Sequence, residues 1–468
     1  MVLVSNLDAI HEVLIRKGLI FADRPDFLRL NFAFGGSRQN SIKLCDWSHS
    51  HKDRRKYIKK RIVPNKFTAR NEFFERTICT SVVGFIQDTI DKKPVHHYLV
   101  EQISSPVETL TNQFSIDSIH EIDRNNCSYK SLTKKDLSLY SCDIFLKLLC
   151  DQSFEHSDSE YEKFVDGCDR ILWEMNQSCL IDFIPYLTRL GIGKSYLNQL
   201  KSITDSIREF SDKRIFEPRL SIHMDDKCHT YDSDSADYNY LDSIIAEHLY
   251  GHSSIPPIDP RVGFVDLVGA HAAVANLLMR LLGHLTLNLD IQDEICREAR
   301  KVGLGELDYK PSLPITEAAM QETLRLASSP IVPHVARETT SLGDFHIPKG
   351  TTVLINNYYW NMSEDFWKEP RKFNPSRFIQ VIFDDQGETI NKLDPPKFIM
   401  PFSVGLRHCL GYKIAETICV VLAANLCSKY VIRANDESLV EQLLVPASRI
   451  ALETGECFEL RLFQRNAF

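Results

Sequence analysis

Several absences narrow the class of this sequence before any motif is read. No C-x-x-C occurs, and the 13 cysteines are odd in number and irregularly spaced, so neither a zinc module nor a disulfide framework fits. Most read as reduced, buried small hydrophobes. No run of 18 or more uncharged apolar residues is present. The most apolar stretch, 264–285, is interrupted by Asp266, Asn276 and Arg280 and reads as a buried helix rather than a membrane span. No secretory leader opens the chain, because Asp8, His11, Glu12, Arg16 and Lys17 stand where its apolar region would be. Basic charge is not in excess: 55 Lys and Arg face 63 Asp and Glu, a net charge of −8, which argues against nucleic acid as a partner. There is no internal repeat.

What is present is an ordinary globular composition, 43% hydrophobic and 25% charged over 468 residues. That length predicts two domains or one unusually large one. Patterning predicts a mainly α fold with a small β region: a short amphipathic helix at 5–18, several helices across 66–215, and further helices at 262–288, 289–303, 314–327 and 410–428. Turn punctuation by Gly343, Pro348 and Gly350 predicts short strands and a hairpin within 332–356, and Thr454-Gly455 a second hairpin across 445–464. The polar, acidic segment 219–239 reads as an exposed loop or insertion, and the polar stretch 117–135 as added length.

The chemistry concentrates in Phe402-Ser403-Val404-Gly405-Leu406-Arg407-His408-Cys409-Leu410-Gly411, just before a helix. Gly405 and Gly411 permit backbone conformations that a side chain forbids. Cys409 stands near a helix N-terminus, whose dipole favours a thiolate; Arg407 places a cation nearby and Phe402 can cover the sulfur. These are the needs of a soft axial ligand to haem iron. A lone cysteine would otherwise read as a buried structural residue.

The loop resembles the haem-binding signature of the cytochrome P450 family, F-x-x-G-x-R-x-C-x-G, at every defined position. Upstream, Glu322-Thr323-Leu324-Arg325 matches the family's E-x-x-R, with Glu and Arg on one helix face. Arg377 follows in Phe373-Asn374-Pro375-Ser376-Arg377-Phe378, where Ser376 replaces the usual acid. The resemblance implies that Glu322, Arg325 and Arg377 form a bracing network, with no catalytic part. It implies a P450 fold around one haem b, with Cys409 as the iron ligand and metal site. It further implies that Arg407, His334, Trp47 and His51 hold the propionates, His51 standing where the family has Arg and Arg54 or Arg55 able to take its part. The basic run from Lys52 to Arg61 reads equally as a solvated face or as the docking surface of an electron donor. Microsomal members carry a membrane anchor and sheet strands before the first helix. The chain therefore reads as one domain, 1–468, lacking both. By resemblance its partner is an NADPH-dependent cytochrome P450 reductase and its place the endoplasmic reticulum membrane, the mitochondrion being the alternative.

One segment departs from the family. Where the long central helix carries an acid and a threonine for proton delivery, this sequence has Gly269-Ala270-His271-Ala272-Ala273-Val274. Ala272 and Ala273 occupy the catalytic positions and relay no proton. His271 lies about 100° round the helix from its neighbour, and Asn276 is a further polar candidate. Three readings follow: a monooxygenase using water or a substrate hydroxyl, a haem-thiolate isomerase or dehydratase, or a non-catalytic haem sensor. The G-A-H-A-A-V string, with L-C-D-W-S before the basic helix, resembles the spook-type branch of arthropod P450s. That branch implies an apolar sterol substrate in ecdysteroid synthesis, lined by Val268, Ala270, Val274, Ile331 and Val332. The segment after Pro25 and the hairpin near 449–455 complete the expected walls.

Overall fold

The computed structural model describes residues 1–33, 37–62, 68–97, 128–176, 179–225, 239–250, 260–305, 307, 309–329, 331–383, 389–444 and 457–465. The expected turn at Thr454-Gly455, the substrate wall at 449–455, and most of the segments 117–135 and 219–239 lie outside these residues.

The helices are α1 (Leu7–His11), α2 (Leu28–Ala33), α3 (His49–Ile62), α4 (Ala69–Gly84), α5 (Lys134–Cys150), α6 (Ser159–Asn176), α7 (Leu180–Phe183), α8 (Lys194–Ser211), α9 (Glu217–Asp225), α10 (Tyr240–Tyr250), α11 (Pro260–Val268), α12 (His271–Thr286), α13 (Leu289–Lys301), α14 (Pro314–Ala327), α15 (Asn357–Asn361), α16 (Tyr412–Lys429) and α17 (Glu437–Leu443). Local signals set their ends. Thr133 and Asp136 form a reciprocal capping box at the start of α5. Pro314 opens α14, and Ser328 at φ 45° ends it. The main apolar core gathers around α12, which packs on α5, α14 and α16, with α13 laid along α16.

The strands are β1 (Val2–Val4), β2 (His96–His97), β3 (Ser128–Leu132), β4 (His334–Val335), β5 (Thr340–Leu342), β6 (Phe345–Ile347), β7 (Thr352–Ile355), β8 (Ile379–Phe383), β9 (Thr389–Leu393), β10 (Tyr430–Ala434) and β11 (Leu460–Gln464). They form a β1-β7-β4 sheet, a β10-β11-β3-β2 sheet and the hairpins β5-β6 and β8-β9. The expectation that the first sheet strands are missing is corrected in part. Val2–Val4 runs parallel to β7 in the register Val2 to Val353, and the Asn356 amide continues the pairing onto the Val4 carbonyl at 2.8 Å. Around this sheet Val4, Ile10, Phe21, Val353 and Trp360 build a second apolar cluster.

The long helix expected at 262–288 is two helices. Between α11 and α12 the chain turns at Gly269–Ala270, where the Ala270 amide reaches back only three residues, to Leu267. His271 Nδ1 takes up the Val268 carbonyl at 2.7 Å, so the break leaves that carbonyl satisfied. The stretch Gly263–Thr286 is long and apolar enough to span a membrane, but its most apolar window is 78% buried inside the protein, and the two helices form the centre of the core.

Candidate functional site

The loop ahead of α16 holds Cys409 by its backbone. The Cys409 amide donates to the Phe402 carbonyl at 2.9 Å, and Arg55, from α3, donates to the His408 carbonyl. Gly405 has φ +74°, and a Cβ there would drive into the Leu14 carbonyl oxygen; glycine is required on both counts. Gly411 differs from expectation: its φ of −90° suits any residue, and a Cβ would meet open space. The Phe402 ring lies 6.2 Å from that of Tyr412.

Among the described cysteines Cys409 alone is exposed; the others are buried or half-buried. Its exposed face is nevertheless ringed by protein, and this partial desolvation raises the thiol above its ordinary value, against the Gly411 amide, Arg55 and Lys43. A thiolate at this position therefore calls for a positive partner such as a metal ion. Among the described residues no group of three or more His, Cys, Asp or Glu could hold a metal. One sulfur ligand therefore fits an iron whose other ligands come from a macrocycle.

Arg407 is not the cation beside the sulfur. Its guanidinium turns inward, donating from Nε to the Ala22 carbonyl at 2.7 Å and from Nη2 to the Cys45 carbonyl at 2.5 Å, with Nη1 3.3 Å from His51 Nε2. It also stands 5.5 Å over the Trp47 ring, against whose edge His51 packs. Arg24, absent from the sequence reading, joins this group and donates to the Val332 and Pro333 carbonyls at 2.8 and 3.0 Å. Burial lowers the pKa of all three arginines, and repulsion from the neighbouring guanidiniums adds to it at Arg24 and Arg407: Arg24 far below its usual value, Arg55 below it, and Arg407 to about 10. Their hydrogen-bond acceptors are mainly backbone carbonyls. The cluster therefore carries positive charge that an anionic ligand would balance.

The surroundings of the cluster hold both of its histidines toward the neutral form. Burial, then Arg407, Arg55 and Arg54, push His51 down to about 2. Burial, then Arg24, push His334 to about 3. His334 Nδ1 lies 2.6 Å from the Phe21 carbonyl, while His334 Nε2, His51 Nδ1 and Arg54 Nε are buried without a hydrogen-bond partner among the described residues. Such orphaned polar atoms, beside uncompensated arginines and one accessible thiol, fit the two propionates and iron of a haem.

On α12 every residue is buried except Ala273. Ala270, one turn before it, is exposed as well. Two small residues exposed along an otherwise buried stretch leave open space beside Ala270 and Ala273. Ala272, about 100° round the helix, is fully buried, so only one of the two expected catalytic positions faces open space. Asn276 is buried and donates to the Ala272 carbonyl at 2.8 Å. The expected apolar lining is corrected too. Val268, Val274 and Ile331 lie in the apolar cores, and Val332 packs beside Leu30 and Leu44, leaving Ala270 from that group at the open space.

The bracing network is formed. Arg325 grips Glu322 with two bonds of 2.7 and 2.8 Å, both side chains fully buried. Arg377 adds a third contact at 3.3 Å, and the Asn374 amide a fourth at 2.9 Å. Arg325 also donates to the Asn361 carbonyl at 2.6 Å, and Arg377 to the Lys368 and Glu369 carbonyls, joining α14 to α15 and the loop beyond it. Ser376, in place of the usual acid, bonds Asn374 at 2.7 Å.

Comparison with known proteins agrees with this architecture. Residues 91–443 match the family model described as Cytochrome P450. Cytochrome P450 307a1 of Drosophila melanogaster is 30% identical over 99% of this chain and 80% of its own length. Steroid 17-alpha-hydroxylase/17,20 lyase of Gallus gallus is 23% identical over 89% of this chain and 74% of its own. A solved zebra fish cytochrome P450 structure with progesterone shares the fold, with a TM-score of 0.66 and 19% identity over 92% of this chain and 87% of that one. With the family signature in its loop and its match running through the core, the chain belongs to the cytochrome P450 family, the haem-thiolate monooxygenases.

Proposed function

We propose that residues 1–468 act as one cofactor-centred domain that binds haem b and oxygenates a sterol. Cys409 is the iron ligand, and Arg24, Arg55, Arg407, His334, His51 and Trp47 surround the propionates. The supporting observation is the buried set of three guanidiniums with depressed pKa beside the exposed thiol. When bound, haem supplies the binding and cleavage of dioxygen. The chain's own part is to hold the thiolate, balance the propionates, and offer a methyl-lined face at Ala270 and Ala273. A steroid hydroxylase among the relatives and the sequence's likeness to the spook-type branch support a sterol, within ecdysteroid synthesis. The basic helix α3 is the proposed docking surface for an NADPH-dependent reductase, and the endoplasmic reticulum membrane the proposed location.

A second reading has its own support. The exposed face of α12 carries no side chain able to move a proton, which suits an isomerase or dehydratase, or a haem sensor without turnover. The first test is spectral. Reduced, carbon-monoxide-treated protein shows the red-shifted haem-thiolate band, and Cys409→Ser abolishes it; a variant that kept the band would remove Cys409 as ligand. Oxygen consumption with cholesterol that depends on reductase and NADPH supports the monooxygenase. Turnover without either donor supports rearrangement, and binding without turnover the sensor.

A further inference from the structure

The turn between α11 and α12 is wound more tightly than the helices it joins. The Ala270 amide bonds the Leu267 carbonyl at 3.2 Å and the Ala273 amide the Ala270 carbonyl at 3.1 Å, each three residues back rather than four. At three residues per turn, side chains at i and i+3 eclipse one another. Ala270 and Ala273 have that spacing, and they are the two exposed residues of the stretch 263–286. The tight winding therefore lines up both methyl groups toward the same open space.

His271 stands inside this turn with no exposure. Its Nδ1 lies 2.7 Å from the Val268 carbonyl, again three residues back. A carbonyl only accepts, so Nδ1 carries the proton and donates. Burial lowers the pKa of the imidazole, which favours that neutral form. Nε2 is buried without a hydrogen-bond partner among the described residues, so the bond of this ring is the one that closes the turn.

The winding also keeps Val274 turned away. Val274 is 4% exposed and packs in the main apolar core. At 3.6 residues per turn each residue after Ala270 would rotate back by about 20°. Ala273 would then stand about 60° off the line of Ala270, and Val274 only about 40° from it. An isopropyl group would enter the space beside the two methyls.

We propose that His271 is a positioning residue, whose Nδ1 bond to Val268 holds residues 268–273 overwound and so keeps Val274 out of the space beside Ala270 and Ala273. The ring itself touches no substrate and acts through the backbone that carries the two alanines. This inference rests on the haem reading above, which makes that space the open side of the haem.

The test is a spectral titration of the haem-loaded chain with two azoles, which perturb the haem band without turnover. Imidazole reports access to the iron, and 1-phenylimidazole adds a ring that needs the neighbouring room. His271→Leu removes the donor at similar volume. It is expected to weaken 1-phenylimidazole about tenfold, by lowering the population of the open turn, and imidazole by less than about twofold. A residue serving stability alone would lower the thermal midpoint and leave the ratio of the two affinities unchanged. Adding Val274→Ala to His271→Leu should restore that ratio. His271→Asn should keep it, because the amide nitrogen of asparagine stands where imidazole has Nδ1; Asn276 already bonds back along the helix, to the Ala272 carbonyl at 2.8 Å. Val274→Ala alone should move the ratio by less than about twofold, since Val274 is already turned away. That variant keeps the proposal open to refutation if His271→Leu does not fold. A ratio unmoved by His271→Leu, or raised about tenfold by Val274→Ala alone, overturns the positioning role and leaves the haem reading standing. No spectral response of the unaltered chain to either azole overturns both.

Discussion

Ala272 and Ala273 are the same residue one position apart, and the helix gives them opposite surroundings. Ala273 is the exposed position of an otherwise buried helix, and Ala272 has no exposure at all. Ala273→Thr should therefore be accommodated, shifting the unfolding free energy by no more than about 0.5 kcal/mol. Ala272→Asp would bury an unpartnered carboxylate and cost several kcal/mol, on the order of the penalty for a polar group without a partner. Chemical denaturation measures both, and the reverse order would mean that the helix faces are misassigned by one residue. The Glu322 cluster makes a similar demand. Removing its main partner in Arg325→Ala leaves a buried carboxylate short of donors and should cost about 3–5 kcal/mol. Arg325→Lys keeps the charge but loses the fork that makes two bonds at once, so the same measurement should show most of that loss rather than a rescue.

At the scale of elements, α16 carries a titrating residue just below the cysteine loop. Glu416 is half-buried, and burial followed by Glu317 outweighs Lys310 and Gln321, pushing it up to about 7. A carboxyl whose folded pKa lies above its unfolded value favours the fold only while protonated. The stability it confers is complete below about pH 4.5 and lost as pH rises to about 7. Glu416→Gln should then raise the thermal midpoint above pH 7 and leave it nearly unchanged near pH 4.5; an equal shift at both values would rule out titration as the cause. The helices themselves were readable. Those expected at 289–303, 314–327 and 410–428 are found at Leu289–Lys301, Pro314–Ala327 and Tyr412–Lys429, because apolar spacing and a leading proline are local signals. The break at Gly269–Ala270 was not readable, since small residues inside a long apolar run continue a helix as easily as interrupt it. Nor was the wiring of Arg407, whose acceptors lie 385 and 362 residues away. A motif shows that an arginine is present, but only the folded chain shows where it points.

Across the whole molecule, the buried charges are spread among elements far apart in sequence. Arg24 and His51 come from the first part of the chain, His334 from β4 and Arg407 from the loop before α16, and they meet beside the proposed propionate sites. Among the imidazoles whose pKa burial lowers, His51 falls to about 2 and His284 and His334 to about 3. A histidine with a folded pKa below its unfolded value of about 6.5 leaves stability intact above that pH. That stability is then lost progressively as pH falls toward the folded value. At pH 5 each such residue costs the fold about 2 kcal/mol by linkage, so the haem-free chain should lose thermal stability steeply between about pH 6.5 and 5. Haem changes this unequally. His51 and His334 lie among the proposed propionate ligands, whose negative charge would let them accept protons at less cost. His284 stacks on Phe373 with 4.6 Å between ring centres, near Arg280 and Arg325, and is outside that set. Circular dichroism melts of haem-free and haem-loaded protein across this pH range should therefore show a shallower acid loss with haem, but not its disappearance. His284→Phe should flatten what remains. Parallel slopes with and without haem would mean that neither His51 nor His334 lies against a propionate, and the anion site would then have to be built from the arginines alone.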